Sequence, residues 1–193
     1  MSLMPSVHIT GDEAADKLLS EDPFALLLGM ALDQQYRMED AFKGGHKLVT
    51  RLGHLDPAKI AEMDPEEFKA IASTPPAIHR FPGSMSAKVQ GIATIVTIEY
   101  GGDVTRLWTE AASGKDLLKR VQALPGFGKQ KARIFVALLA KQLGVRPDGW
   151  EQVAGDYADD GYRSVADVID PASLQKVRDY KKQKKAAAKA KAV

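Results

Sequence analysis

The residues best suited to chemistry lie in one short segment, Leu124 to Ala132, which reads Leu-Pro-Gly-Phe-Gly-Lys-Gln-Lys-Ala. Gly126 and Gly128 permit a tight turn whose backbone N–H groups point outward. A helix that begins at Lys129 adds the positive end of its dipole, and Lys129 and Lys131 supply positive side chains. The segment therefore predicts a nest for an anion such as phosphate, without the spacing of a Walker loop or a dinucleotide-binding loop.

Leu124 to Gly128, followed by a basic helix, resembles the helix–hairpin–helix of the HhH-GPD superfamily of DNA repair glycosylases, which includes endonuclease III. Asp148 lies 24 residues after Leu124, as does the essential aspartate of endonuclease III-like enzymes. The segment 87–104 is similar to the family's helix before the hairpin, and the segment 23–35 is similar to its early helix ending in Gln-Gln. The resemblance covers roughly residues 23–150.

The resemblance implies that the chain binds double-stranded DNA. The backbone of Gly126, Phe127 and Gly128 would hold one phosphate, and the target nucleotide would be flipped into a cleft. Asp148 would help to cleave the N-glycosidic bond, by stabilising charge on the sugar or by positioning water. The sequence Arg-Pro-Asp-Gly around Asp148 is also typical of a turn, so a structural role stays open.

Bifunctional members of this family carry a hairpin lysine that forms a Schiff base and cuts the DNA backbone. An alignment without gaps places Gln130 at that position, and an amide cannot supply an amine nucleophile. We therefore expect a monofunctional glycosylase without lyase activity. Lys129 and Lys131 flank the position, but one residue rotates a helical side chain by about 100°, so neither should replace the missing lysine. We assign both to phosphate contact, with plain solvent exposure as the alternative.

Gln34 and Gln35 are the amides that the resemblance places against DNA. An amide donates and accepts hydrogen bonds, which suits it to fill the space of a flipped base or to read a base edge. A polar helix surface would equally explain two glutamines. We expect no metal site, because the four histidines lack the spacing of helix-borne ligands. We also expect no cofactor, apart from a monovalent cation that the resemblance places at the hairpin backbone.

Helices must position these residues. Asp-Pro pairs at 22–23, 56–57, 64–65 and 170–171 are typical of helix starts. The segment 92–98 is rich in β-branched residues, yet apolar residues at 85, 89, 92, 96 and 100 follow the period of a helix. We predict an all-α fold with helices near 11–20, 23–32, 34–44, 57–62, 65–72, 86–100, 104–111, 114–122, 129–143 and 171–185, and loops at 74–84 and about 144–163.

The resemblance implies a two-lobed fold. One lobe covers residues 30–146 and contains the helix–hairpin–helix at about 114–143. The other combines residues 4–29 with residues 147–180. The tail 181–193 is rich in lysine and alanine, and we expect it to fray because no apolar face holds it. It would add non-specific DNA affinity or only solubility.

Composition narrows the functional class. The 193 residues include no cysteine, which excludes disulfides, cysteine-ligated metal or iron–sulfur sites and thiol nucleophiles. The net charge is +2, but residues 115–146 carry +7 and the tail carries six lysines with no acid. This distribution indicates nucleic-acid binding or a solvated helical face. The longest apolar run, Phe24 to Leu32, is too short to span a bilayer, and no signal peptide is recognisable.

We therefore expect a monofunctional DNA N-glycosylase of base-excision repair, acting as a monomer on double-stranded DNA in the cytoplasm, and associated with the nucleoid if bacterial. It would hydrolyse the N-glycosidic bond of a flipped damaged or mismatched base. The alternative is a non-catalytic DNA-binding protein on the same scaffold, which binds damaged DNA without releasing a base. A weaker third hypothesis is a helical protein–protein adaptor, which would show no salt-dependent DNA affinity.

Overall fold

A computed structural model describes residues 6–192, so residues 4 and 5 of the predicted second lobe and Val193 of the tail lie outside it. The described range is all-helical and contains no strand, which confirms the predicted all-α class. Its helices are α1 Glu13–Glu21, α2 Pro23–Leu32, α3 Met38–Ala41, α4 Gly44–Leu52, α5 Pro57–Glu62, α6 Pro65–Ser73, α7 Pro82–Tyr100, α8 Arg106–Thr109, α9 Gly114–Gln122, α10 Lys129–Leu143, α11 Trp150–Ala154 and α12 Pro171–Lys191, with 3₁₀ helices at Gly155–Ala158 and Val165–Asp167.

Four helices begin at the predicted Asp-Pro pairs. The carboxylates of Asp22, Asp56, Asp64 and Asp170 each accept a hydrogen bond from a backbone N–H in the first turn of the helix that follows. Proline occupies the first position of each helix, where its missing N–H has no helical partner to lose. These local signals alone set the starts of α2, α5, α6 and α12.

The β-branched segment 92–98 lies inside α7 and is helical, as its apolar period predicts. The helix begins at Pro82, earlier than the predicted start at Ser86. Ser86 is buried and donates its hydroxyl to the carbonyl of Gly83 within the first turn. α7 packs against α5, α6 and α2 and forms the centre of the first half of the chain.

The predicted helix 34–44 is wrong. The chain from Asp33 to Arg37 is not helical, Gln35 has a φ of 52°, and two helices follow, α3 and α4. Gly44 and Gly45 open α4 because they allow close packing. A Cβ at Gly44 would lie 2.3 Å from Leu32 Cδ1, and one at Gly45 would lie 3.0 Å from Ala25 Cβ. The predicted loop at about 144–163 likewise contains α11 and a 3₁₀ helix.

The expected fraying of the tail is also wrong for its described residues, because α12 continues to Lys191. The first half of α12 is anchored to the body through the buried residues Ser173 and Val177, so the cost of helix nucleation is already met. Alanine and lysine, which make up most of 181–191, are strong helix formers. The helix therefore extends without an apolar face of its own.

One continuous apolar core runs from Val7 to Val177. α2 lies at its centre and every residue from Phe24 to Leu32 is buried, with α1 and α4 packed around it. α10 is the second central helix and packs against α9, α11 and both 3₁₀ helices. The division into two lobes stays a prediction. Within residues 6–192, no helix combines the length and apolar character needed to cross a bilayer.

Candidate functional site

The segment 124–127 forms a tight turn between α9 and α10. The N–H of Phe127 donates to the carbonyl of Leu124 at 3.2 Å, and Gly126 has a φ of 83°. Proline at the second position and a left-handed glycine at the third are the preferences of a type II turn. The sequence of the hairpin thus determines its shape directly.

The start of α10 presents unpaired backbone donors. Gly128 is the N-cap and has no side chain to cap the helix. The first hydrogen bond of the helix runs from the N–H of Ala132 to the carbonyl of Gly128 at 3.0 Å. The N–H groups of Lys129, Gln130 and Lys131 precede that bond, and they are left for solvent or an anion, as at any uncapped helix start. Lys129 is fully at the surface beside them.

Phe127 does not fit the predicted DNA contact. Its side chain is only 5% exposed and packs edge-on against Phe135, with ring centroids 6.1 Å apart. Its N–H is already used within the turn. Phe127 therefore supports the hairpin from the core, and the donors available at the surface belong to the residues that follow it.

Lys131 connects the hairpin to the end of α2. Its Nζ donates to the carbonyl of Ala31 at 3.0 Å and to Oε1 of Gln34 at 3.3 Å. These partners lie about 100 residues earlier in the chain, so the contact is purely tertiary. It brings the hairpin and the Gln-Gln segment onto one surface. We call this surface the hairpin face and define it by Gln34, Gln35, Gly128, Lys129 and Lys131.

Asp33, the residue before Gln34, is the C-cap of α2 and is half-buried. Burial raises the pKa of the Asp33 carboxyl, while the positive charges of Lys181 and Lys131 act to lower it. Burial also lowers the pKa of Lys131 to about 8, against the opposing effect of Asp33, and the nearby charge of Lys88 lowers it further. A carboxylate and an amine with shifted pKa values therefore lie near each other at the hairpin face, a combination that often marks a functional site.

His79 holds the same segment from the other side and was not singled out by the sequence. Its Nδ1 accepts from the N–H of Phe81 at 2.9 Å, so its Nε2 carries the proton and donates to the carbonyl of Gln34 at 2.9 Å. Burial lowers the pKa of this imidazole, which favours the neutral form that these two bonds require. His79 and Lys131 together fix Gln34, and the next residue, Gln35, is exposed with a left-handed backbone.

Gln130 faces a different neighbour. Its Nε2 donates to the hydroxyl of Tyr157 at 3.0 Å, in the 3₁₀ helix that follows α11. The side chain is exposed and lies on the side of α12, because the Lys184 ammonium lies 5.7 Å from the centroid of the Tyr157 ring. The residue that reaches Gln34 is thus Lys131, whereas Gln130 does not.

Asp148 lies far from the hairpin face. It sits in an exposed turn closed by a 3.0 Å bond from the N–H of Trp150 to the carbonyl of Pro147, with Gly149 at a φ of 81°. Its own carbonyl accepts from the N–H of Gly114 at 2.7 Å, at the first residue of α9. The hairpin follows the last residue of α9, about 12 Å away along a helix of this length. The structure does not bring Asp148 together with the other predicted site residues, and its placement is that of a turn aspartate.

A large cavity of about 810 Å³ lies elsewhere, between the N-terminal segment 6–21 and the start of α12. None of the predicted site residues lines it. Within residues 6–192 there is also no cluster of three histidine, aspartate or glutamate side chains that could hold a metal ion. Comparison of the chain with protein-family models, curated proteins and solved structures finds no match.

Proposed function

We propose that the chain is a DNA-binding protein of base-excision repair that hydrolyses the N-glycosidic bond of a flipped base. The observation that carries this proposal is the contact of Lys131 with Ala31 and Gln34. It combines free helix N–H donors, an exposed lysine and exposed amides into one surface. Each of these groups suits a different part of a nucleotide.

The start of α10 would bind the DNA backbone. Unpaired N–H groups at a helix start form an anion site that needs no side chain, and Lys129 adds a positive charge at its edge. Binding of this kind releases counterions, so the logarithm of affinity falls with the logarithm of salt concentration by about 0.9 for each phosphate neutralised. A salt titration therefore measures the number of phosphates bound.

Gln35 would act on the bases. The Oε1 of Gln34 is occupied by Lys131, which leaves the exposed amide of Gln35 free. Its left-handed backbone is uncommon for a residue other than glycine and is held by the bonds on Gln34. A rigidly held amide can enter the duplex in place of a flipped base, because it replaces some of the lost hydrogen bonds.

Asp33 replaces Asp148 as the carboxylate of the proposed hydrolysis. A water molecule attacks the sugar carbon C1′ while the bond from C1′ to the base nitrogen breaks, and Asp33 takes the proton of that water. The departing base takes a proton from solvent. A carboxylate near the sugar also stabilises the positive charge that develops there. Burial raises the pKa of Asp33, which makes its carboxylate a stronger base once it is ionised, and the positive charges of Lys131 and Lys181 act in the opposite direction.

The proposal is tested by base release from a panel of duplexes that carry uracil, alkylated, oxidised or mismatched bases. Products are read with and without hot alkali. Alkali-dependent cleavage of one substrate is the expected result and identifies the lesion. Cleavage without alkali would contradict a monofunctional enzyme and would implicate Lys131, whose pKa of about 8 leaves part of its amine uncharged near neutral pH.

A second candidate function, a non-catalytic DNA-binding protein, is favoured by the remote position of Asp148 and by the contact of Gln130 with Tyr157. It shares the hairpin face with the first candidate but predicts no base release from any duplex. Salt-sensitive DNA binding without base release would therefore support this second function. Absence of salt-sensitive binding would refute both and leave a protein–protein adaptor.

A further inference from the structure

The two halves of α12 have different environments. Ser173 and Val177 in the first half are buried against the body of the protein. From Lys181 onward every described residue is exposed, and this second half is about 16 Å long at 1.5 Å per residue. We call residues 181–191 the projecting arm. It carries six lysines and no acidic residue.

The projecting arm leaves the body next to the hairpin face. Lys181, its first residue, is close enough to Asp33 for its charge to lower the pKa of that carboxyl. The ammonium of Lys184 lies 5.7 Å from the ring centroid of Tyr157, and the hydroxyl of that tyrosine accepts from Gln130 in the first turn of α10. The arm and the start of α10 are therefore neighbours.

The direction of α12 is fixed by polar contacts at the point where the arm begins. Arg178 forms an ion pair with Glu39 of α3, and Arg37 bonds the same carboxylate oxygen at 2.8 Å. Arg163 donates to the hydroxyl of Tyr180 at 3.1 Å. The carboxylate of Glu39 is buried, so α12 is tied to the short helix α3, which starts three residues after Gln35. The arm is thus held in a defined orientation to the hairpin face.

One face of the arm continues the face that packs on the body. Residues seven apart on a helix differ by only about 20° in direction, so Lys184 and Lys191 follow Val177 on one side of α12. Lys182 and Lys189 lie more than about 100° away from Val177, on the outer side. The inner side of the arm therefore carries Lys184, whose ammonium lies beside the Tyr157 ring, and Lys191 two turns further along.

We propose that the projecting arm is a second, rigid contact for the DNA backbone that continues the hairpin face along the duplex. This inference rests on the proposed DNA binding and names where the flanking duplex docks. An arm about 16 Å long spans about five base pairs at the rise of B-DNA. Because the arm is already helical, DNA binding does not have to order its backbone, and this lowers the entropy cost of binding.

The test compares two double variants with equal loss of charge, K184Q/K191Q on the inner side and K182Q/K189Q on the outer side. Affinity for an undamaged duplex of about 30 base pairs is measured at about 50 and about 200 mM salt. Loss of two phosphate contacts lowers the salt slope by about 1.8, so wild type should lose about tenfold more affinity over this range than K184Q/K191Q. The outer-side variant should keep the wild-type slope.

A third variant, Ala186→Pro, keeps every lysine but interrupts the helix in the middle of the arm. The proposal expects it to bind as weakly as K184Q/K191Q, with circular dichroism reporting the loss of helix. Equal slopes for the two double variants, or wild-type binding by Ala186→Pro, would overturn the rigid arm while leaving hairpin binding intact. Absence of any salt-sensitive binding by wild type would instead overturn the proposed function, and the arm with it.

Discussion

Replacement of Lys131 by methionine separates the functional contribution of this residue from its structural one. Methionine keeps an unbranched side chain of similar size and removes the charge together with both hydrogen bonds, to Ala31 and to Gln34. Two opposing effects on stability follow. The loss of the bonds destabilises the fold, whereas the loss of a partly buried charge stabilises it.

The pKa of Lys131 gives the size of the second effect. Burial lowers it from 10.5 to about 8, and each unit corresponds to about 1.4 kcal/mol, which gives about 3 kcal/mol against the charged form in the folded protein. Partial solvent exposure reduces this to about 1–2 kcal/mol. Two hydrogen bonds contribute about 1 kcal/mol each. The two effects nearly cancel, so Lys131→Met should change the free energy of unfolding at about pH 7 by less than about 1 kcal/mol.

The sign of the pH dependence is opposite to that of a salt-bridged lysine. The folded pKa of about 8 lies below the unfolded value of 10.5, so between these two pH values the unfolded chain binds more protons than the folded chain. The contribution of Lys131 to wild-type stability therefore rises as the pH increases through this window. The expected gain from about pH 7 to about pH 9.5 is about 1–2 kcal/mol, and Lys131→Met should lack it.

Urea unfolding at these two pH values measures both quantities, and Lys129→Met, at an exposed site beside it, is the matched control. Lys129→Met should keep the wild-type gain between the two pH values. An identical pH dependence in wild type and Lys131→Met would refute the buried, low-pKa environment. A loss above about 3 kcal/mol at about pH 7 would show that Lys131 is chiefly a structural clamp.

Three further variants test the geometry of the site. Phe127→Ala removes a core ring and should cost about 3–5 kcal/mol in urea unfolding, and a loss below about 1 kcal/mol would contradict its burial. Gly126→Ala forces a φ of 83° on alanine at a cost of about 1–2 kcal/mol. Gly128→Ala, at a φ of −74° with open space around it, should cost less than about 1 kcal/mol, the ordinary penalty of alanine at an N-cap, and a larger loss at Gly128 than at Gly126 would contradict the turn. His79→Phe leaves the carbonyl of Gln34 without its donor, so amide exchange of the segment 33–36 should accelerate, and unchanged exchange would contradict its anchoring role.

Local signals in the sequence were sufficient for the all-helical class and for several helix starts. The aspartate caps and prolines that start α2, α5, α6 and α12 act within one helical turn, so they can be read without tertiary information. Gly44 and Gly45, which open α4, were not recognised as a helix start. Their function here is to allow close approach to Leu32 and Ala25, which only the packed structure reveals.

The site was predicted only in part, because spacing along a chain does not give direction in space. The 24 residues between Leu124 and Asp148 include all of α10, which carries the chain away from the hairpin. Asp33 and His79 have no local motif. Asp33 becomes notable only through its charge near Lys131, and His79 only through its hydrogen bond to Gln34. The hairpin and the Gln-Gln segment were found because each has its own sequence pattern.

Single-turnover base release by Asp33→Asn and Asp148→Asn, on the lesion that wild type cleaves, tests the proposed site most directly. Both variants remove one carboxylate and keep the shape of the side chain. The hairpin-face geometry predicts that Asp33→Asn loses base release while it retains salt-sensitive DNA binding, and that Asp148→Asn retains both. Loss of base release in Asp148→Asn, with Asp33→Asn as active as wild type, would contradict the site built around Lys131. It would instead assign catalysis to Asp148, in the turn that bonds the start of α9.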